Sequence, residues 1–169
     1  VARLTIIHQG MQIRSIQASD WEAIMTIQSD TYHAFEPEPL EVMQSKWLLS
    51  PESCLVVEVN GRIVGYCLAH PWQGEPPSLN QSIPVSIPAA DTLYLHDMAF
   101  AAAARGLGAG KMVLACLVEY ARSQSLPNLS LVAVQGANGY WEKQGFEHAD
   151  TTKCLGTYCD NPSYMRLVL

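Results

Sequence analysis

Three glycines at alternate positions follow an arginine and precede a lysine in "RGLGAGK", residues Arg105 to Lys111. The residues before this run, Thr92 to Phe100, read as a strand. Those after it read as a helix, with Val113, Cys116, Leu117, Tyr120 and Ala121 at i, i+3, i+4, i+7 and i+8. A strand–loop–helix unit aims the unpaired N–H groups of the helix start at one spot, where they and the helix dipole favour an anion, a phosphate above all. Glycine lets backbone approach closely and take positive φ, while Arg105 and Lys111 add positive charge. Two nucleotide patterns fail here. In G-x-x-x-x-G-K-[ST], Arg105 stands at the first Gly and Met112 at the hydroxyl residue. The dinucleotide pattern G-x-G-x-x-G has the wrong spacing, and no acidic residue ends a strand about 20 residues on.

The strand ahead of the loop carries a second chemical group. In "LYLHDMAF", Leu93 to Phe100, His96 supplies an imidazole, a side-chain type suited to accepting a proton near neutral pH. Strand alternation predicts Tyr94, His96, Met98 and Phe100 on one face and Leu95, Asp97 and Ala99 on the other. Asp97 is therefore not expected to pair with His96, but to bond loop or helix backbone near the strand end. The five histidines are scattered without ligand spacing, so no metal site is expected.

"RGLGAG" matches [QR]-x-x-G-x-[GA] through Arg105, Gly108 and Gly110, the acyl-CoA pyrophosphate loop of the GNAT superfamily of N-acetyltransferases. "LHDMAF" resembles the family's fourth strand and "YWEKQGFE" its late Y-E-K-x-G-F motif. The resemblance covers roughly Met11 to Leu169. It implies an α/β fold with a mixed, mostly antiparallel sheet of about six or seven strands, about four helices, and a V-shaped splay between the fourth and fifth strands. It also implies transfer of an acetyl group from acetyl-CoA, as cosubstrate, directly to a primary amine, without a metal. Three demands follow: the amine must lose a proton, the oxyanion needs a donor, and the thiolate should gain a proton.

The same resemblance assigns residues. Backbone groups of Met98, Ala99 and Phe100 would hold the pantetheine arm in the splay, with the Met98 N–H as oxyanion donor. Arg105 and the amides of Gly106, Leu107, Gly108, Ala109, Gly110 and Lys111 would hold the pyrophosphate. The strand is similar to that of arylalkylamine N-acetyltransferases, in which a His at the position of His96 relays the substrate proton through water. His96 is thus the expected base or relay, and Tyr94 stands where that subgroup has a second relay His. The chain departs from the family at Trp141, where the thiolate's usual proton donor is a Tyr. An indole N–H cannot serve as that acid; either Tyr140, about 100° round the helix, substitutes, or water protonates the thiolate, or its release needs no residue. Trp141 and Asn138 are candidate CoA contacts, Asn138 being displaced from the family's usual position near Val134. The acceptor pocket is expected from Phe35 and Glu36, beside His33 and Glu38, with Tyr94 and Tyr158. Its two carboxylates suit an ammonium group on a small-molecule amine or a protein amine. A non-catalytic acyl-CoA-binding or sensing domain on the same fold is the alternative, raised by Trp141.

The elements that must position these groups are legible. Met11 to Ile16 alternates as a strand, and Ser19 or Asp20 caps a helix with an apolar stripe of Trp21, Ile24, Met25 and Ile27. A second helix runs from Leu40 to Leu48. "SCLVVEVNGRIVGYCLAH" is a hairpin turning at Asn60-Gly61. Five prolines between Pro71 and Pro88 mark a long surface loop. The loop helix starts at Gly106 or Leu107 and ends near Gln124. Leu129 to Val134 is a strand, a short helix ends at Gly145, and Lys153 to Cys159 and Tyr164 to Leu169 are the last strands. Residues 11–169 form one domain, and residues 1–10 are an N-terminal extension expected to be poorly ordered.

Bulk composition narrows the function classes. A net charge of −6 over 169 residues weighs against nucleic acid and suits a cationic partner such as an amine. No apolar run approaches about 18 residues, and no signal pattern opens the chain. A cytoplasmic protein without membrane partners is expected, as monomer or homodimer. Five cysteines with no C-x-x-C imply reduced thiols; Cys154 and Cys159 sit at hairpin spacing, but nothing requires them to pair.

Overall fold

The computed structural model describes residues 6–8, 10–32, 36–151, 153, 155 and 162–169. The strands are β1 (Ile6–His8), β2 (Met11–Ser15), β3 (Cys54–Val59), β4 (Arg62–Trp72), β5 (Thr92–Phe100), β6 (Asn128–Ala133), β7 (Glu147–His148) and β8 (Ser163–Val168). The helices are α1 (Trp21–Thr31), α2 (Leu40–Leu49), α3 (Ala109–Ser123) and α4 (Asn138–Lys143). One sheet runs in the order β1-β2-β3-β4-β5-β6-β8-β7. Every neighbouring pair is antiparallel except β5–β6. The mixed sheet and its splay are as expected, with β5 and β6 as the splayed pair because β1 precedes the anticipated first strand. β1 also places Ile6–His8 in the sheet, against Met11–Ile13.

Alternation along the strands builds two cores. On one face Leu55, Val57, Cys67, Ala69, Leu93, Leu95, Leu129 and Leu131 meet Val113, Leu114, Cys116, Leu117 and Ala121 of α3. On the other, Cys54, Val56, Tyr66, Leu68 and Ala99 meet Trp21, Ile24 and Ile27 of α1 and Met43 of α2. Each fully buried aliphatic side chain contributes about 1.5–3 kcal/mol relative to exposure, so the two faces lock the helices to the sheet. Asn60 and Gly61 both take positive φ, 51° and 76°, as a two-residue hairpin turn requires. Cys54, Cys67 and Cys116 are buried free thiols, while Cys154 and Cys159 lie outside the described residues.

Several expectations need correction. Helix α3 starts at Ala109, because Gly106 (φ +77°) and Gly108 (φ +69°) are left-handed and keep the loop open for one more turn. The strand before β8 is the two-residue β7; most of Lys153 to Cys159 lies outside the described residues, and Lys153 itself is not in a strand. The largest correction concerns β5. Asp97 pairs with Leu68 and Leu95 with Ala69, so His96 is an extra residue with no cross-strand partner. This bulge shifts the alternation by one. Met98 and Phe100 pack with Leu93 and Leu95 on the α3 face, and Asp97 and Ala99 point toward α1.

Candidate active site

The parallel pairing of β5 and β6 consists of Leu93 with Leu129 and Tyr94 with Ser130. Beyond it the strands part, and a cavity of about 520 Å³ fills the gap. Leu95, His96, Asp97, Met98 and Phe100 line one wall, and Leu131, Val132 and Val134 the other. The glycine loop and α4 close one end through Gly106, Gly108, Ala109, Gly110, Lys111, Tyr140 and Trp141; Gln28, Tyr32, Glu38 and Leu79 lie toward the other.

At the loop end the backbone provides the chemistry. Met112 is the first residue of α3 whose N–H is bonded, to the Gly108 carbonyl at 3.1 Å. Among the described residues nothing accepts the N–H groups of Gly106 or of Gly108 to Lys111. A helix start with this many free donors is an anion cradle. A Cβ on Gly110 would collide with the Tyr140 hydroxyl, so this glycine lets the phenol close against the loop. Tyr140 remains 42% exposed and meets Trp141 edge-on at 4.9 Å between centroids, and Trp141 packs against Phe146. Partial burial raises the pKa of the Tyr140 phenol, which keeps it a proton donor at neutral pH.

At the other end side chains provide it. His96 Nε2 lies 2.5 Å from Glu38 Oε1, and both side chains are buried. Burial opposes ionisation of Glu38, but the contact with the His96 ring, the nearby Lys46 and the Asn80 N–H outweigh it and hold the carboxyl at about 2. Lys46 is wholly buried, donates to the Gln81 carbonyl at 3.0 Å, and has its pKa lowered by burial. His70, beside Tyr94 and His96, is pushed down to about 3, chiefly by burial, and is therefore neutral at pH 7. Asp97 accepts the hydroxyls of Tyr32 and Tyr66, each at 2.5 Å, and burial still raises its pKa. The bulge at His96 explains this clamp: it turns Asp97 to the α1 face instead of toward loop backbone. The same Tyr32 hydroxyl lies 3.1 Å from the Met98 carbonyl, so its one hydrogen, directed at Asp97, also sits against the strand next to the bulge.

The cavity thus unites most, not all, of the residues singled out in the sequence. Met98, Phe100, Gly106, Gly108, Ala109, Gly110, Lys111, Tyr140, Trp141 and His96 line it. Ala99 is buried on the α1 face, and Leu107 and the exposed Arg105 do not line it. Asn138 is turned to β8, donating to Ser163 Oγ at 2.9 Å. Tyr94 is buried beneath His70 and His96, and Glu36 is exposed outside the cavity. Phe35, His33 and Tyr158 lie outside the described residues. Sequence reasoning noticed Glu38 only as one of two carboxylates for an ammonium. It missed Gln28, Tyr32, Lys46, Tyr66 and His70 altogether, since each comes from a different turn of an ordinary helix or strand. Among the described residues no group of three or more His, Cys, Asp or Glu side chains is placed to hold a metal ion.

The acetyltransferase (GNAT) family model matches residues 21–146, which include both ends of the cavity. The chain belongs to the acetyltransferase (GNAT) family. An uncharacterized N-acetyltransferase of Bacillus subtilis, YkwB, is 29% identical over 136 residues, 72% of this GNAT chain; the chain spans 59% of that relative's length. Solved GNAT-like folds superpose closely. Ard1 from Thermoplasma volcanium gives a TM-score of 0.73 at 16% identity, covering 95% of this chain and 98% of its own. Naa50 of Arabidopsis thaliana, solved with the bisubstrate analogue CoA-Ac-MVNAL, gives 0.71 at 13% identity, covering 95% and 99%.

Proposed function

We propose that this GNAT chain is an N-acetyltransferase that uses acetyl-CoA as cosubstrate and transfers the acetyl group directly to a primary amine. One observation carries the reading: a single cavity joins the unpartnered N–H groups at the start of α3 to the buried His96–Glu38 pair. The residues fit the ligand. The N–H groups of Gly106 and of Gly108 to Lys111, with the Lys111 side chain beside them and the exposed Arg105 nearby in the loop, would hold the pyrophosphate, and Met98 to Phe100 would flank the pantetheine arm. Bound there, acetyl-CoA supplies an activated thioester.

The chain's own groups serve the three demands of the transfer. His96 takes the proton the amine must lose, directly or through a water in the cavity. The Met98 N–H, on the strand pinned by Tyr32, donates to the oxygen on which charge develops. Tyr140, poised against Gly110, returns a proton to the departing sulfur, the role the indole of Trp141 cannot take. The acceptor enters between α1, Glu38 and the proline-rich loop at Leu79. Small-molecule amines and protein amines are both served by such an entrance.

Thermal unfolding with acetyl-CoA, ATP and NAD tests the ligand. A ligand at 100 times its Kd stabilises the fold by about 2.7 kcal/mol. Stabilisation by acetyl-CoA alone is expected; an equal shift with ATP would overturn the reading. Thiol release on adding amines then separates the enzyme from an acyl-CoA sensor, which would bind without turnover.

A further inference from the structure

Glu38 is held from two sides of the cavity, through its backbone and through its carboxylate. The Gln28 side chain on α1 grips its backbone twice, accepting the Glu38 N–H at 2.9 Å and donating to the Glu38 carbonyl at 3.2 Å. The Asn80 N–H, from the proline-rich loop, donates to Oε2 at 2.9 Å. The remaining oxygen, Oε1, meets His96 Nε2 at 2.5 Å. Two elements distant in sequence thus aim one carboxylate oxygen at one ring nitrogen.

We propose that Glu38 is a positioning residue for His96: its carboxylate holds the ring in the Nε2–H form and leaves Nδ1 as the ring's proton-accepting atom. The inference rests on the reading of His96 as proton relay. An ionised carboxylate only accepts hydrogen bonds, so the 2.5 Å contact requires the hydrogen on Nε2. In the neutral ring the lone pair then lies on Nδ1. That atom is buried and has no hydrogen-bond partner among the described residues. A buried ring nitrogen without a partner costs free energy, so Nδ1 is the atom of the ring whose accepting capacity is unused.

The other groups around His96 are committed elsewhere. From β5, Asp97 holds the Tyr32 and Tyr66 hydroxyls, brought by α1 and β4. Lys46 of α2 donates to Gln81, and His70 of β4 bonds the Pro71 carbonyl through Nδ1, its buried Nε2 having no hydrogen-bond partner among the described residues. Tyr94 of β5 lies ring to ring with His96, 6.3 Å between centroids. Glu38 is the one carboxylate among the described residues that reaches Nε2.

The test is long-range 1H–15N correlation on the whole chain labelled with 15N-histidine, at neutral pH. His96 of the native protein should give the Nε2–H pattern. In Glu38→Gln the amide can still accept from Asn80 and can donate to the ring, so the Nδ1–H form should appear. Turnover is read with acetyl-CoA against phenethylamine, spermidine and a short peptide with a free N-terminus. In Glu38→Gln, kcat should fall by about tenfold to a hundredfold, a part of the ~10²–10⁴ that a general base supplies, with KM for acetyl-CoA unchanged. Glu38→Asp, which keeps the charge, should restore part of the kcat and the Nε2–H pattern, and it carries the test if Glu38→Gln does not fold. A Glu38→Gln protein with the native pattern and native kcat would overturn the proposal. Native turnover in His96→Ala would instead overturn the relay reading, while the tautomer pattern would still report whether Glu38 holds the ring.

Discussion

The two ends of the cavity are built by opposite means. The loop end is backbone: the free N–H groups of Gly106 and of Gly108 to Lys111, set by two left-handed glycines. The other end is side chain: Gln28, Tyr32, Glu38, His96 and Asp97 line it and Lys46, Tyr66 and His70 lie behind them, drawn from α1, the segment between it and α2, α2 itself, β4 and β5. A backbone cradle needs only a short local sequence that permits its φ values. A side-chain constellation needs the whole fold to bring its members within hydrogen-bond reach. The two ends should therefore fail differently when mutated: the loop through ligand binding, the His96 end through chemistry and acid stability.

The sharpest break is Gly108→Val. A β-branched residue at φ +69° is strained by about 1–3 kcal/mol and disrupts the donors beside it. The stabilisation by acetyl-CoA in thermal unfolding should vanish while the circular dichroism of the fold persists. An undiminished shift would mean that the loop is only a turn.

His96→Ala should do the reverse. Turnover should drop by about 10²–10⁴-fold, while the acetyl-CoA stabilisation stays native. Loss of both together, in a protein that remains folded, would erase the distinction between the two ends.

Acid unfolding sharpens the contrast further. The Glu38 carboxyl is lowered from 4.5 to about 2 in the fold. A lowered folded pKa contributes stability that is complete above the unfolded value and is lost as pH falls through the folded one. Between about pH 4.5 and about 2 the native protein should lose stability that Glu38→Gln, lacking the titrating group, does not lose over that window. The comparison is made by urea denaturation at stepped pH, and parallel pH dependence in the two proteins would refute it. The smallest effect belongs to Tyr32→Phe. It removes one hydroxyl from Asp97, a hydrogen bond to an ionisable group of about 1.5–3 kcal/mol, and should lower the urea midpoint without abolishing acetyl-CoA binding.

Much of the fold was readable because its signals are local. Asn60-Gly61 can form a two-residue turn whatever surrounds it, and Val113, Cys116, Leu117 and Ala121 mark a buried helix face by spacing alone. The bulge at His96 was not readable. "LYLHDMAF" alternates perfectly well without it, and the extra residue becomes visible only when Asp97 and Leu95 are matched to Leu68 and Ala69 of β4. One unpaired residue then reversed the face assigned to Asp97 and to Met98. The same holds for Glu38, which in sequence is a carboxylate between two prolines, 58 residues from the ring it bonds.

By itself the sequence marked the loop whose amides are suited to an anion, because glycine conformation and free helix-terminal amides depend on neighbours in the chain. It likewise determined the strand that carries His96. Only the tertiary structure decided what surrounds that imidazole, which nitrogen is held, and which nearby carboxylate holds it. Those depend on register and helix placement, where a slip of a single residue turns a side chain to the opposite face.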